Sequence, residues 1–435
     1  MQTSKPLTLK RNFSWTFVGN AVYAACQWGM LVVLAKLGSP EMVGEFTLGL
    51  AIAAPVFMFT NLQLRHIQAT DAKQQYFFSD YLSLRLISTT VGLLCVGIIT
   101  LIAGYRWQVS LVILLVSLAK AFESISDVFY GLIQQQERMD RIAMSLMIKG
   151  PLSLLMLGLG LYLSGSVIWG IVGLVFSWAI VALGFDVRNG KSILKNQQQK
   201  IGNDSLVSSK MKLKLSCDRH KLVKLAWLAL PLGLGMLLIS LNVNIPRYFI
   251  EQTLGERQLG FFAAIAYLMV AGNMVVNALG ESASPRLAKY YAEGNRHAFS
   301  QLLLRLVGIA VILGGLAVVV AKFAGSLILT IVYQPEYAQH VDLFVWLMVA
   351  AGVSYVASFL GYGMTAARYF RIQMPLFSIA TASSAIACFW LVPAFELKGA
   401  AIALTLSAVI QAVMTFGVII HAINKIDRYP RTKSS

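Results

Sequence analysis

The chain has 435 residues, of which 57% are hydrophobic and 13% charged, with 36 Lys and Arg against 19 Asp and Glu and a formal net charge of +17. A mean hydropathy of +0.69, with apolar runs longer than about 18 residues recurring throughout, excludes a soluble globular protein and specifies an integral, polytopic membrane protein. The positive charge does not signal nucleic acid, because the cations fall between hydrophobic spans rather than on a folded, water-facing surface. Four cysteines without CxxC or Cys/His spacing exclude a disulfide framework and a structural metal.

The N-terminus places Lys5, Lys10 and Arg11 ahead of an apolar stretch from Phe13 to Leu37. That stretch is too long for a signal-peptide core of about 7 to 15 residues, so it reads as a retained first transmembrane helix. Spans of about 20 residues fall at approximately 13–36, 42–63, 81–104, 107–133, 142–163 and 166–187, then at approximately 221–248, 257–280, 302–322, 341–366, 372–393 and 398–421. Residues Phe323 to Tyr333 are apolar but too short to cross, and read as an extension of the ninth span or an interfacial turn.

The two sets of six flank a basic connector, so the domains read as an N-terminal six-helix lobe over 1–187, a basic cytoplasmic linker over 188–220, and a C-terminal six-helix lobe with a short basic tail over 221–435. From Arg188 to Lys224 the chain carries ten of its 36 cations, among them Lys210, Lys212 and Lys214, which alternate with apolar residues and suit anionic lipid. The Gln, Asn, Ser and Gly of its centre have little to bury and read as a solvated linker.

With the N-terminus inside, 29 cations fall in cytoplasmic segments and 6 on the other side, leaving Lys120 within a span. The positive-inside rule then makes both termini and the connector cytoplasmic. An even number of spans per half makes any repeat parallel, with a pseudo-twofold along the membrane normal. A faint repeat is visible: Leu37-Gly38 followed by Gly44-Glu45-Phe46 after the first span, and Leu254-Gly255 followed by Gly260-Phe261-Phe262 after the seventh. The fold class is therefore an all-α polytopic membrane protein of about twelve helices.

The polar residues within spans are the candidate functional groups. In the fourth span Lys120, Glu123, Ser124 and Asp127 are spaced i, i+3, i+4 and i+7, hence on one helical face. An ionised side chain at mid-bilayer costs about 2.5–3.5 kcal/mol, so three on one stripe point into a polar interior. There Lys120 can hold an anionic group and Glu123 or Asp127 can exchange a proton or cation; the same three residues can also merely compensate one another and pin the helix. In the seventh span Pro246 frees a carbonyl and kinks the helix, while Arg247 and Glu251 are placed to pair at i, i+4. Asn20 and Gln27 in the first span and Asn273 and Asn277 in the eighth offer hydrogen bonds to sugar hydroxyls or to neighbouring helices. Arg65, Arg85, Lys149, Arg286 and Arg305 lie near cytoplasmic helix ends, where a lipid phosphate or diphosphate would sit.

The chain lacks a Walker A sequence and an Asp-x-Asp pair, and its five His fall in loops or at span ends, which argues against catalysis. Twelve spans in two halves, the Leu37-Gly38 to Phe46 turn, the run Asp127-Val128-Phe129-Tyr130-Gly131-Leu132-Ile133-Gln134-Gln135-Gln136-Glu137-Arg138, and Ser284-Pro285-Arg286-Leu287-Ala288-Lys289-Tyr290-Tyr291 together resemble the Wzx-type polysaccharide biosynthesis transporters. These belong to the multidrug/oligosaccharidyl-lipid/polysaccharide exporter (MOP) superfamily, related to the MATE transporters. The resemblance implies a flippase that carries an undecaprenyl-diphosphate-linked oligosaccharide from the inner to the outer leaflet of a bacterial inner membrane, through a central cationic cavity between two six-helix lobes, with Lys120 and Arg247 as candidate lining cations. It implies a lipid-linked oligosaccharide and the lipid bilayer as partners, with a polysaccharide polymerase and chain-length machinery alongside, and no cofactor, metal or nucleic acid. A drug or organic-cation antiporter of the same superfamily, which needs a net acidic cavity, and a membrane-embedded glycosyltransferase or polymerase are the alternatives.

Overall fold

A computed structural model of the chain describes residues 9–71, 75–201 and 218–428. These residues form helices and the turns between them, in two compact units, Met1–Ser240 and Leu241–Ser435. In the first unit α1 (Leu9–Leu37), α2 (Pro40–Thr60), the short α3 (Leu64–Thr70), α4 (Phe78–Ala103), α5 (Trp107–Gln135), α6 (Met139–Ser164) and α7 (Val167–Ile180) follow in order. A π-helical turn, Val181–Asp186, joins α7 to α8 (Val187–Ile201). Then α9 (Arg219–Leu254) runs continuously through Pro231 and Pro246, and the boundary between the units falls within it.

The second unit continues with α10 (Glu256–Tyr267), α11 (Met269–Ala292), α12 (Arg296–Val332), a 3-10 turn (Pro335–His340), α13 (Val341–Ala366) and α14 (Gln373–Arg428). Eleven stretches among the described residues are long and apolar enough to cross a membrane. The last, 56 residues long, is two helices meeting at Glu396, whose φ of 52° breaks the helical path. The two arms, 373–395 and 397–428, correspond to the eleventh and twelfth spans expected from hydropathy. The outer faces of the helices are apolar: Leu101, Ile102, Trp107, Phe323 and Trp390 are all exposed, as lipid-facing residues must be. The chain is a multi-pass helical membrane protein.

Local chemistry explains the breaks. Ser39 caps α2, its hydroxyl accepting from the Met42 N–H, and Pro40 occupies the first turn, where its missing N–H costs nothing. Gly255, at φ 84°, supplies the left-handed residue between α9 and α10. The apolar residues from Phe323 onward do not turn at the interface but extend α12 to Val332.

In the first unit α1 packs along α6, where Gly19 lies against Ala143 and Gly150 against Cys26, a small-residue contact that lets the two backbones approach. Helix α5 is the hub, touching α2, α3, α4 and α7. Its C-terminal half joins a core of Leu64, Phe78, Tyr81, Val128, Phe129, Leu132 and Ile142, which also receives Leu222, Leu225 and Ala229 of α9. In the second unit α13 is central, packed by α11, α12 and α14, with Gly314 of α12 against Gly352.

The first part of the basic connector is helical. This is α8, which buries Ile193 and Leu194 in the core of the first unit and exposes Arg188, Lys191 and Lys195. An amphipathic 3.6-residue period, diluted by the polar composition, underlies this. Lys210, Lys212, Lys214 and Cys217 lie outside the described residues, as do Lys5, Lys73 and the basic tail beyond 428.

Candidate functional site in the first unit

Buried ionisable side chains concentrate in the first unit. Arg85, Lys149, Asp80, Asp140 and Asp186 are buried there, whereas the buried polar residues described in the second unit are Asn244, Thr381, Ser384, Ser407 and Thr415, none of them charged. The first unit also holds a cavity of about 310 Å³. Asn20 and Tyr23 of α1, Asn61, Gln63 and Arg65 around the α2–α3 turn, Glu123, Asp127 and Tyr130 of α5, and Lys149 of α6 supply its polar lining.

The α2–α3 turn is shaped by two consecutive left-handed residues, Leu62 and Gln63, both at φ 51°. They fold α3 back onto α5, where Gly131 admits it: a Cβ at Gly131 would collide with the Gln68 side chain and come within 3.4 Å of Arg65 Cα. Arg65 is thereby set over the Tyr130 ring at 5.5 Å, with Nε donating to Gln134 Oε1 at 3.0 Å and Nη1 lying 3.6 Å from Asp127 Oδ1. The second oxygen of Asp127 accepts from Arg85 Nη2 at 2.9 Å, and Arg85 also donates to Asn61 Oδ1.

One turn earlier on α5, Glu123 accepts from Lys120 Nζ at 2.7 Å and from the Tyr23 hydroxyl at 3.1 Å. Lys149, only 1% exposed, donates to the Tyr130 hydroxyl at 3.3 Å and lies over the Tyr130 and Trp178 rings at 5.4 and 5.8 Å. Lys120 lies over the same Trp178 ring at 5.4 Å. Trp178 is fixed by its Nε1–H, which donates to Ser153 Oγ at 2.7 Å, and Tyr130 by a 2.7 Å bond between its hydroxyl and Ser145 Oγ. At the mouth of α6, outside the spans, two hydrogen bonds to Asp140 hold the Arg138 guanidinium above its ordinary pKa.

Of the stripe on α5, Glu123 and Asp127 line the cavity, and Ser124 is buried, donating to the Lys120 carbonyl. Lys120 is not a free cation, being paired with Glu123 from its own helix. Arg85 and Lys149, expected at cytoplasmic helix ends, are buried side chains. Both are enclosed, because Asp127 and Tyr130, distant in sequence, draw them inward. Asn20 is exposed on the cavity, its amide donating to the Thr16 carbonyl, and Gln27 sits one turn beyond Tyr23 on α1.

In the second unit Arg247 does not pair with Glu251: its guanidinium donates to Asn244 Oδ1 at 3.0 Å, one turn toward the N-terminus. Asn273 is half-buried on α11, Asn277 is exposed there, and Arg286 and Arg305 are exposed on α11 and α12. The structure thus assembles Asn20, Arg65, Arg85, Lys120, Glu123, Asp127 and Lys149 in one neighbourhood. Arg247, Asn273, Asn277, Arg286 and Arg305 belong to the second unit.

Sequence reading missed Tyr23, Tyr130, Trp178 and Asp186. Tyr130 was accessible to it, lying three residues beyond Asp127 on the same face of α5. Asp186 was not, because it stands at the end of an apolar run next to the cationic connector and looks like a helix end.

A polytopic helical bundle with a buried, ion-paired polar interior is the form of a membrane transporter. The chain belongs to the polysaccharide biosynthesis protein family, whose pattern matches residues 9–291. It is 28% identical over 406 residues to the capsular polysaccharide biosynthesis protein CapF of Staphylococcus aureus, covering 91% of this chain and 96% of that protein. Among solved structures it superposes on the lipid II flippase MurJ in an inward closed conformation, with a TM-score of 0.69 at 11% identity over 95% of this chain and 90% of that one. It also superposes on an inward-facing multidrug resistance MATE family transporter of the MOP superfamily, with a TM-score of 0.65 at 13% identity over 100% and 98% of the two chains. These two likenesses establish a shared fold, and both the family and the fold agree with the resemblance read from the sequence.

Proposed function

We propose that the chain is a flippase that moves a polyprenyl-diphosphate-linked oligosaccharide from the inner to the outer leaflet of a bacterial plasma membrane, by ion-coupled alternating access, for cell-surface polysaccharide synthesis. The observation that carries this reading is the position of Lys149: a buried ammonium on the cavity wall, held by a phenol hydroxyl and two rings rather than by a carboxylate salt bridge. A charged group in that setting is costly unless an anion completes it, and a diphosphate is such an anion. Arg65, the second cation at the wall, shares Asp127 with Arg85 and so keeps positive charge to spare. Asn20, Asn61, Gln63 and the tyrosines Tyr23 and Tyr130 supply amides and aromatic faces for sugars, while the lipid tail stays in the bilayer.

The cation-antiporter reading requires free carboxylates on the cavity wall, but the two that line it, Glu123 and Asp127, are each held by a cation. The same pairs occupy both groups that a polymerase or glycosyltransferase would need as acid and base. The excess of cations in the loops assigned to the cytoplasm supports a cytoplasmic location for both termini, and a polymerase and chain-length machinery would take the flipped unit on the outer face. The direct test is mass spectrometry of polyprenyl-diphosphate-linked glycans after depletion of the protein. Completed units should accumulate on the cytoplasmic side and clear only when the wild type is restored; unchanged glycans together with retention of a cationic dye would move the function to drug export.

A further inference from the structure

Beyond the cavity, among the described residues of the first unit, Asp186 is a buried carboxyl outside any salt bridge or hydrogen bond. Asp186 is fully enclosed, at 0% exposure, and neither of its side-chain oxygens has a hydrogen-bond partner. It closes the π-helical turn Val181–Asp186, where the wider i→i+5 winding displaces the backbone from the α7 path. Helices α5, α6, α7 and α8 all pack against that turn.

What faces Asp186 from each of them is restricted. From α6 come the Lys149 ammonium and the Ser145 hydroxyl, and from α5 the Ser126 and Tyr130 hydroxyls, all within electrostatic reach of the carboxyl. Ser145 and Tyr130 are bonded to each other, while Ser126 Oγ, like the Asp186 oxygens, is unpartnered. Helix α7 brings no ionisable group, and the α8 cations Arg188, Lys191 and Lys195 make no ion pair with Asp186. The other carboxylates nearby are accounted for, Glu123 by Lys120 and Asp127 by Arg85 and Arg65.

Lys149 therefore stands between two anionic positions. One side of it is the cavity wall and the other is Asp186. An ionised Asp186 competes with an anion in the cavity for the same ammonium. A neutral Asp186 does not. We propose that Asp186 is the proton-binding group of the protein: a diphosphate entering the cavity draws on the charge of Lys149, and Asp186 takes up one proton from water, forming an O–H bond on a side-chain oxygen. Proton and anion then each raise the affinity for the other by the same factor, as linkage requires. A sodium ion is a poorer occupant, because Lys149 already places a positive charge beside the carboxyl. This inference rests on reading the first-unit cavity as an anion site, and it moves proton coupling from Glu123 and Asp127 to Asp186.

The test uses the full chain in lipid nanodiscs with geranylgeranyl diphosphate as probe, inorganic pyrophosphate as a tail-free control, and affinity measured from pH 5.5 to 8.5. The wild type should lose affinity relative to Asp186→Asn as pH rises, by up to about tenfold per pH unit, the slope of one linked proton. Titration of the probe itself is common to both proteins and cancels in the ratio. Lys149→Gln, which removes the shared charge, should bind weakly and without the extra pH dependence, and it serves where Asp186→Asn does not fold. A pH-independent ratio of wild type to Asp186→Asn overturns the assignment while leaving the anion site standing. Affinity that depends on sodium rather than pH overturns it in favour of a metal ion. No binding of either probe by the wild type overturns the anion site itself, and the coupling with it.

Discussion

Arg85 of α4 and Asp127 of α5 form an ion pair at 2.9 Å in which the arginine side chain has no solvent exposure and the aspartate retains 28%. Removing Asp127 strands the buried Arg85, a loss that typically costs about 3–5 kcal/mol, whereas removing Arg85 leaves Asp127 with Arg65 at 3.6 Å and costs less. Asp127 opens onto the cavity, so the lower end of that range applies. Arg85→Met should lower the melting temperature of the detergent-solubilised protein, Asp127→Leu should lower it further, and the double variant Arg85→Met/Asp127→Leu should recover part of the larger loss. Equal melting temperatures for wild type and Arg85→Met would show that the pair does not hold α4 to α5.

The two lysines beside Trp178 should behave differently. Lys120 is already paired with Glu123 at 2.7 Å, whereas Lys149 makes no salt bridge among the described residues, being held by a phenol and two rings with Asp186 behind it. A charge-assisted hydrogen bond to an anion contributes about 1.5–3 kcal/mol, so Lys149→Gln should weaken diphosphate binding by roughly 10- to 150-fold. Lys120→Gln should change it by only a few-fold, a ranking that calorimetry on the two variants checks directly.

Gly131 is the contact that lets α3 place Arg65. Gly131→Val introduces a side chain where Gln68 and the Arg65 backbone already stand, an overpacking worth about 1–3 kcal/mol. Thermal stability and anion affinity should fall together. Gly97→Ala on α4, with open space around the added methyl, should leave the affinity unchanged and the stability equal or slightly higher.

Arg247 lies in the second unit and is bonded to Asn244 rather than to an acid. Arg247→Gln keeps a donor within reach of Asn244 and should shift stability by about 1 kcal/mol or less. A loss of transport at unchanged melting temperature would give the second unit its own cation in the transport path. Full transport would confine the essential cations to the first unit.

Hydropathy was enough to read the spans, including the two that meet at Glu396, because a predominantly apolar stretch of 56 residues interrupted by Pro393, Glu396 and Lys398 is too long to cross the bilayer once. The stripe on α5 was legible for a similar reason: its spacing is local and periodic. The depth of Arg85 and Lys149 was not. It depends on Asp127, 42 residues from Arg85, and on Tyr130, 19 residues from Lys149, and no local pattern encodes either pairing. Arg247 and Glu251 satisfied the right spacing, yet Asn244 lay closer to hand, since an i, i+4 interval permits a pair without selecting it. The amphipathic α8 was hidden by its composition, whose polar face outweighs Ile193 and Leu194 in any average.

The most direct measurement is translocation of a fluorescent polyprenyl-diphosphate oligosaccharide in proteoliposomes, read as the fraction that becomes accessible to a membrane-impermeant quencher. The wild type should move the lipid faster than protein-free liposomes, and Lys149→Gln, reconstituted to the same level, should not. Movement by Lys149→Gln at the wild-type rate, or none by the wild type under any imposed proton gradient, would contradict the assignment of the first-unit cavity as the diphosphate site of a flippase.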